Sequence, residues 1–329
     1  MENHPLIFGI GNPLIDLSFS VEDYDLEKLG LKKGTMALTD KQRQKKILAY
    51  LKSRKHNFSP GGSAPNTIIA CSGLGVNSHI SGKIGNDMFG DMYINRLNDY
   101  GADSGLVQGH GLTGSSIILI TPDGERTMNT NLGICQDFCI DDINKVKLAK
   151  SKYLYFTGYM WDTESQKSAI KEAITIAKEN EVTIVFDVAD PFVVMRNRND
   201  FIKMIKGDLD IVFANEEEVK ILFDSQKVDY AINEFKRIVK TGGIKLGKRG
   251  SVVVNNKRNF MINPSKINAK DTTGAGDMYA AGFLSSLARG KNLNQAGKMA
   301  VTLAERIIQI QGAQFENTVI RKLKNEIKI

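Results

Sequence analysis

Cysteine is scarce: the 329 residues hold three, Cys71, Cys135 and Cys139. They are too few and too irregularly placed for a disulfide framework, and no histidines accompany them at metal-ligand spacing. They read as packing residues of a protein in a reducing setting, and the chain is expected in the cytoplasm. Histidine is as rare, and His4, His56, His79 and His110 form neither a triad nor a zinc pattern. No apolar run approaches membrane-spanning length, and the opening "MENHPLIFGIGNPLIDL" lacks a basic segment followed by a long apolar one. Neither a membrane span nor a secretory leader is therefore expected. Two nucleotide signatures are missing as well. "GIGNPL" has no third glycine at dinucleotide-fingerprint spacing, and G-x-x-x-x-G-K-[ST] does not occur, so any nucleotide is held by another geometry.

What is present is an ordinary globular composition, 42% hydrophobic and 25% charged, long enough for one large core and a smaller appendage. The net charge of +7 raises the question of an acidic partner. Its densest basic stretch, "TDKQRQKKILAYLKSRK" (Thr39 to Lys55), carries Ile47, Leu48 and Leu51 at helical spacing. It reads as the solvated face of an amphipathic helix rather than a nucleic-acid patch. A phosphate-bearing small molecule exploits the same positive field.

Short apolar runs ("LIFGIG", "KYLYF", "VTIVFDV", "LDIVFAN", "SVVVNN") alternate with helical segments such as "ESQKSAIKEAITIAKEN". Strands apolar on both faces and separated by helices predict an α/β fold, a mainly parallel sheet with helices on both faces. Two stretches break the rhythm, about 14–39 and 104–133, where short alternating strands and the turn "PDGE" predict a small β-sheet over one edge of the body, placed as a lid. "FSPGGSAPNTIIA" reads as a loop and helix start, with Ser63 as the cap. No repeat or linker interrupts the chain, so residues 1–329 are expected to form one domain.

The stretch "DTTGAGDMYAAGFLSSLARG" (Asp271 to Gly290) sets a flexible Gly274-Ala275-Gly276 turn at the mouth of an apolar helix. Glycines permit a close backbone path, and a helix N-terminus favours an anion. A carboxylate there, Asp277, is ill suited to holding phosphate but well suited to accepting the proton of an attacking hydroxyl. The competing reading is a helix cap. In "GGSAPN", paired glycines and Asn66 complement sugar hydroxyls, and in "NPLIDL" Asp16 can accept from two neighbouring hydroxyls.

Together these stretches resemble the ribokinase-like family of carbohydrate and nucleoside kinases, and within it the adenosine-kinase branch. The likeness runs nearly end to end: "DTTGAGD" resembles the family's anion-hole signature, "GGSAPN" its amino-terminal glycine motif, and "NEEE" (Asn215 to Glu218) the branch's N-x-x-E pattern. "GNPLID" resembles the opening of adenosine kinases more than that of ribokinases, and "GERTMNTNLG" resembles the bacterial adenosine-kinase-like group. The resemblance implies a Rossmann-like three-layer fold and an ATP- and Mg²⁺-dependent kinase acting on a primary hydroxyl of a nucleoside, adenosine first. A sugar kinase acting on ribose, fructose or a keto-deoxy sugar acid is the alternative, and a silent binding regulator a more remote one. Asp277 would be the general base, with Gly274, Ala275 and Gly276 holding the transferring phosphoryl group. Asn12, Asp16, Gly61, Gly62, Asn66, Arg126 and Tyr159 would face the acceptor. Asn215, Lys245, Gly247 and Gly250 would face the nucleotide, and Asn215 and Glu218 would organise Mg²⁺ largely through water. "GIKLGKRG" puts Lys245 where the family commonly has a threonine, and "TGYMWDT" offers Tyr159, Met160 and Trp161 where a purine would stack. A monomer or a lid-mediated homodimer is expected.

Overall fold

The sequence "YLYFT" at Tyr153–Thr157 shows how the large sheet is built, because Leu154 and Phe156 enter one apolar cluster while Tyr153 and Tyr155 enter another on the opposite face. A strand buried on both sides has no use for polar alternation. The computed structural model describes residues 4–256 and 258–326. In chain order its strands are β1 (Ile7–Ile10), β2 (Leu14–Ser20), β3 (Met36–Leu38), β4 (His56–Gly61), β5 (Ser78–Gly85), β6 (Asp103–Gly109), β7 (Gly114–Ile120), β8 (Arg126–Asn131), β9 (Tyr153–Thr157), β10 (Thr183–Asp187), β11 (Ile211–Asn215), β12 (Thr241–Lys245), β13 (Ser251–Asn255) and β14 (Arg258–Ile262).

Nine of them form one sheet in the order β14-β13-β12-β11-β10-β9-β1-β5-β6. Pairing is parallel from β6 through β12, and β13 and β14 add an antiparallel edge. Helices cover both faces, as expected. From β1 the chain moves out to β5 and β6, then returns to β9 on the other side of β1 and proceeds to β12. The direction of winding reverses between β1 and β9, the place where an open parallel sheet leaves a crevice beyond its carboxyl ends. No helix among the described residues is long and apolar enough to cross a membrane.

The small sheet has the order β3-β8-β7-β2-β4, with Phe19, Ile117 and Leu119 packed against Ile47 and Leu51 of the helix Lys41–Leu51. The basic stretch is thus an amphipathic helix backing this sheet. Its boundaries differ from those read in the sequence at two points. His56–Gly61 is a strand paired antiparallel with β2, not a loop; polar and carrying Pro60, it lies at the sheet's edge, where a missing N–H is tolerated. Residues 103–109 join the large sheet beside β5; as the edge strand, β6 has no fully buried residue, which is why it lacks the apolar run of the inner strands. The "PDGE" turn joins β7 to β8, with Gly124 N–H donating to Thr121 O at 2.8 Å.

Candidate active site

The carboxyl ends of β1, β9, β10, β11 and β12 open into a cleft of about 1510 Å³, roofed on one side by the small sheet. It is lined by Asn12, Asp16, Gly62, Asn66, Arg126, Tyr159, Asn215, Glu218, Lys245, Gly247, Gly250, Gly274, Ala275, Gly276 and Asp277. Residues scattered over the whole chain therefore meet in one place. Gly61 does not line the cleft. It is buried behind it, where its carbonyl accepts from the Tyr93 hydroxyl and its Cα backs the Asp16 carboxylate. Trp161 also departs from expectation: its indole N–H donates to Asp200 at 3.1 Å and its ring packs on Phe156 and Phe201. Met160 is fully buried in the same core, which leaves Tyr159 as the aromatic side chain of "TGYMWDT" at the cleft.

The helix Ala275–Ala288 begins at the cleft, with Gly274 as its N-cap in the left-handed region, φ 71°. A side chain at Gly274 would also meet the Ala313 carbonyl at 2.5 Å, so glycine is required there on both counts. The helix's first turn leaves backbone N–H groups without intrahelical partners, directed at the cleft. Asp277, in that first turn, does not cap the helix. Its Oδ1 accepts from Ser63 Oγ at 2.6 Å and its Oδ2 from Asn66 Nδ2 at 2.8 Å. Both donors lie on the helix Ser63–Gly73, whose N-cap is Gly62 at φ 91°. Ser63, expected as that helix's cap, instead orients the carboxylate. Asn66 is held by protein groups at both ends of its amide, since its Oδ1 also accepts from Gln314 Nε2 at 2.7 Å. Burial pushes the Asp277 carboxyl up to about 6; the Ser63 and Asn66 hydrogen bonds hold it down, Asp187 raises it and Lys245 lowers it.

Across the cleft, on β2, the Asp16 carboxylate meets no hydrogen-bond donor among the described residues. Burial and the neighbouring Asp277 push it up to about 7, with Arg126 pulling the other way. Arg126, at the start of β8, does not point into free solvent. It pairs with Asp271 at the head of the glycine turn, whose second oxygen accepts from Gly312 N–H at 2.9 Å. This ion pair joins the small sheet to the body.

At the far side Lys245 ends β12 and places its ammonium 2.9 Å from Asp187 Oδ2 and 3.0 Å from Oδ1. A Cβ built on Gly276 would lie 3.3 Å from that nitrogen, so the lysine stands beside the turn that would hold an anion. Burial lowers its pKa, but Asp187 and Glu218 outweigh burial and raise it. Asn215 caps the helix Glu216–Leu222 in a reciprocal box: Glu218 N–H donates to Asn215 Oδ1 at 2.9 Å while Asn215 N–H and Nδ2 donate to Glu218 at 2.7 and 2.6 Å. Glu218 is 1% exposed, whereas Glu217 is exposed and pairs with Lys220. The run "EEE" thus divides into one inward and two outward carboxylates. Gly247 and Gly250 form the β12–β13 turn, closed by Leu246 N–H to Gly250 O at 2.8 Å.

Ser63, Asp187 and Gln314 were not singled out from the sequence as site residues, nor was the apolar wall of Met36, Leu38, Ile118, Met128 and Leu132 that the small sheet lends the cleft. Alternation in "SSIILIT" and "RTMNT" carried a signal for the wall. For Gln314 and Asp187 no local pattern exists.

The pfkB family carbohydrate kinase model matches residues 26–319. Among curated proteins, the adenosine kinase of Saccharomyces cerevisiae is 29% identical over 96% of this chain and 98% of its own. Among solved structures, the adenosine kinase from Sinorhizobium meliloti is 32% identical at a TM-score of 0.92, covering 98% of this chain and 99% of that one. A probable sugar kinase protein from Rhizobium etli CFN 42 is 29% identical at a TM-score of 0.93, covering 100% and 99%.

Proposed function

The chain belongs to the pfkB family of carbohydrate kinases, a phosphotransferase with an alcohol acceptor, and from that premise we propose that it moves the γ-phosphoryl group of ATP to the primary hydroxyl of adenosine, giving AMP. The observation that carries this reading is the Asp277 carboxylate, oriented by Ser63 and Asn66 at the first turn of a buried helix and facing an unpartnered Asp16. Asp16 accepts from the ribose hydroxyls. Asp277 takes the proton of the attacking hydroxyl, the oxygen so released bonds to the γ-phosphorus, and the bond to ADP breaks. The first-turn N–H groups and the Lys245 ammonium stand where charge grows on the phosphoryl oxygens.

Among the described residues no three His, Cys, Asp or Glu side chains gather as a metal cage. The oxygen donors of Glu218 and Asn215, lining the cleft, fit a hydrated Mg²⁺ carried in on the nucleotide, because Mg²⁺ keeps most of its water and takes one or two protein carboxylates. When bound it supplies neutralisation of phosphate charge. Glu218 and Asn215 fix each other's orientation toward it.

The apolar wall on the small sheet favours a nucleoside over a free sugar: a purine covers it, and ribose has nothing to place there. The Rhizobium etli protein, described as a probable sugar kinase, supports the second reading, a sugar acceptor at the same Asp277. ADP release across a panel of nucleosides and sugars decides between them. Adenosine is expected to exceed 2′-deoxyadenosine by roughly 5- to 150-fold in kcat/KM, since a buried polar group left unpaired costs about 1–3 kcal/mol. Higher kcat/KM for ribose or fructose than for every nucleoside would replace the adenosine reading with the sugar-kinase one.

A further inference from the structure

The base is held by a chain of hydrogen bonds that starts far from the chemistry. Arg96, on the helix Met88–Tyr100, donates its Nε–H to Gln314 Oε1 at 2.8 Å. Gln314 Nε2 donates to Asn66 Oδ1 at 2.7 Å and to the Pro60 carbonyl at 3.0 Å. Asn66 Nδ2 donates to Asp277. The segment carrying Gln314 is pinned on each side, with Gly312 N–H on Asp271, Ala313 against Gly274 and the Phe315 carbonyl accepting from Tyr100 at 2.5 Å.

Each amide in this chain could be turned end for end without changing its shape. A guanidinium cannot, because it has donors only. Arg96 therefore requires an oxygen from Gln314 and the Pro60 carbonyl requires its NH₂, and both send that NH₂ toward Asn66. That group requires an oxygen in turn, which sends the Asn66 NH₂ toward Asp277. Reversed, Asn66 would set a carbonyl oxygen against a carboxylate.

We infer that Gln314, with Arg96 behind it, is a positioning residue that fixes the direction of the Asn66 amide so that it donates to the general base. This rests on Asp277 being that base. Donation favours the ionised carboxylate, the form able to take a proton, against the burial and the Asp187 charge that disfavour it. The other groups around Asp277 are Ser63 Oγ, Lys245 and the buried hydroxyls of Tyr93, Tyr155 and Tyr159; none of them fixes which end of the Asn66 amide faces it.

The test is the pH profile of kcat at saturating ATP and acceptor. Gln314→Glu keeps an acceptor for Arg96 but removes the donor for Asn66, so the Asn66 NH₂ turns to the introduced carboxylate and its oxygen to Asp277. The acid limb is expected to move up by about one pH unit, with kcat near pH 6 falling roughly fivefold, kcat at pH 9 within about twofold and acceptor KM within about twofold. Arg96→Lys, still donor-only, should restore the wild-type limb. Arg96→Gln, whose amide can face either way, should shift it partway. An unshifted limb in a folded, active Gln314→Glu enzyme overturns the inference, as does a uniform loss of kcat at every pH in both Gln314→Glu and Arg96→Gln. Absence of turnover by the wild-type chain would overturn the reading of the site itself.

Discussion

The two sides of the cleft handle charge in opposite ways. On the nucleotide side the buried charged groups have protein partners, Lys245 in Asp187 and Glu218 in Asn215, although burial pushes Glu218 up to about 7, and at the rim Glu216 pairs with Lys220 and Arg249. On the acceptor side Asp16 meets no donor among the described residues, and burial and the neighbouring Asp277 charge make it resist ionisation. A satisfied cluster holds a field in place; an unsatisfied carboxylate waits for donors and discriminates against molecules that lack them. One side therefore sets the electrostatics of phosphoryl transfer and the other sets which hydroxyls are admitted.

The strongest way to break this division is to remove the group between the sides. Asp277→Asn keeps the shape and an acceptor for Ser63 but cannot take a proton. We expect kcat to fall by roughly 10²–10⁴ with acceptor affinity within a few-fold, measured by steady-state kinetics and direct binding. A near-normal kcat would leave Asp277 with a purely structural part.

A smaller effect sharpens the acceptor side. Asp16→Asn should narrow the preference for adenosine over 2′-deoxyadenosine, by roughly 5- to 150-fold if the whole discrimination is lost. It should also stabilise the ligand-free protein at pH 8. The Asp16 pKa is raised on folding from 3.8 to about 7, so the folded state binds more protons than the unfolded one between those values and stability falls as pH rises through them. The penalty is fully present above about 7 and absent below 3.8. Asparagine removes it, and the gain in Tm over wild type should be largest at pH 8 and fade by pH 4. A Tm difference that does not vary with pH would contradict the burial of this charge.

The fold and the residues within its motifs were largely legible in the sequence because each is local. Two-sided apolar strands such as "YLYF" announce a covered sheet, and "DTTGAGD" places turn, helix and carboxylate within seven residues. What was not legible is set by contacts between distant segments. β4 is polar and carries Pro60, so only its pairing with β2 makes it a strand. Trp161 has the right chemistry for a base platform, but its N–H is claimed by Asp200 and its ring by the core. Gln314 meets Asn66 across 248 residues, a separation at which no spacing rule operates.

The smallest expected effect tests the nucleotide side. Glu218 and Glu217 are adjacent and chemically identical, yet one is buried in the reciprocal box with Asn215 and the other is exposed on Lys220. Glutamine at the third helical position can still reach back to the cap's N–H, but its NH₂ then faces Asn215 Nδ2, so Glu218→Gln removes the charge and one of the two bonds that Asn215 donates. Its cost in stability should be about 1–3 kcal/mol. If the inward carboxylate serves the Mg²⁺ that accompanies the nucleotide, Glu218→Gln should raise the Mg²⁺ concentration giving half-maximal kcat by several-fold. Glu217→Gln should leave it unchanged, because an exposed surface pair contributes about 0–1 kcal/mol and touches nothing in the cleft. Superimposable Mg²⁺ curves for the two variants would mean that Glu218 is buried to secure the helix Glu216–Leu222 alone. The nucleotide side would then owe its fixed cation to Lys245, held by Asp187 beside Gly276.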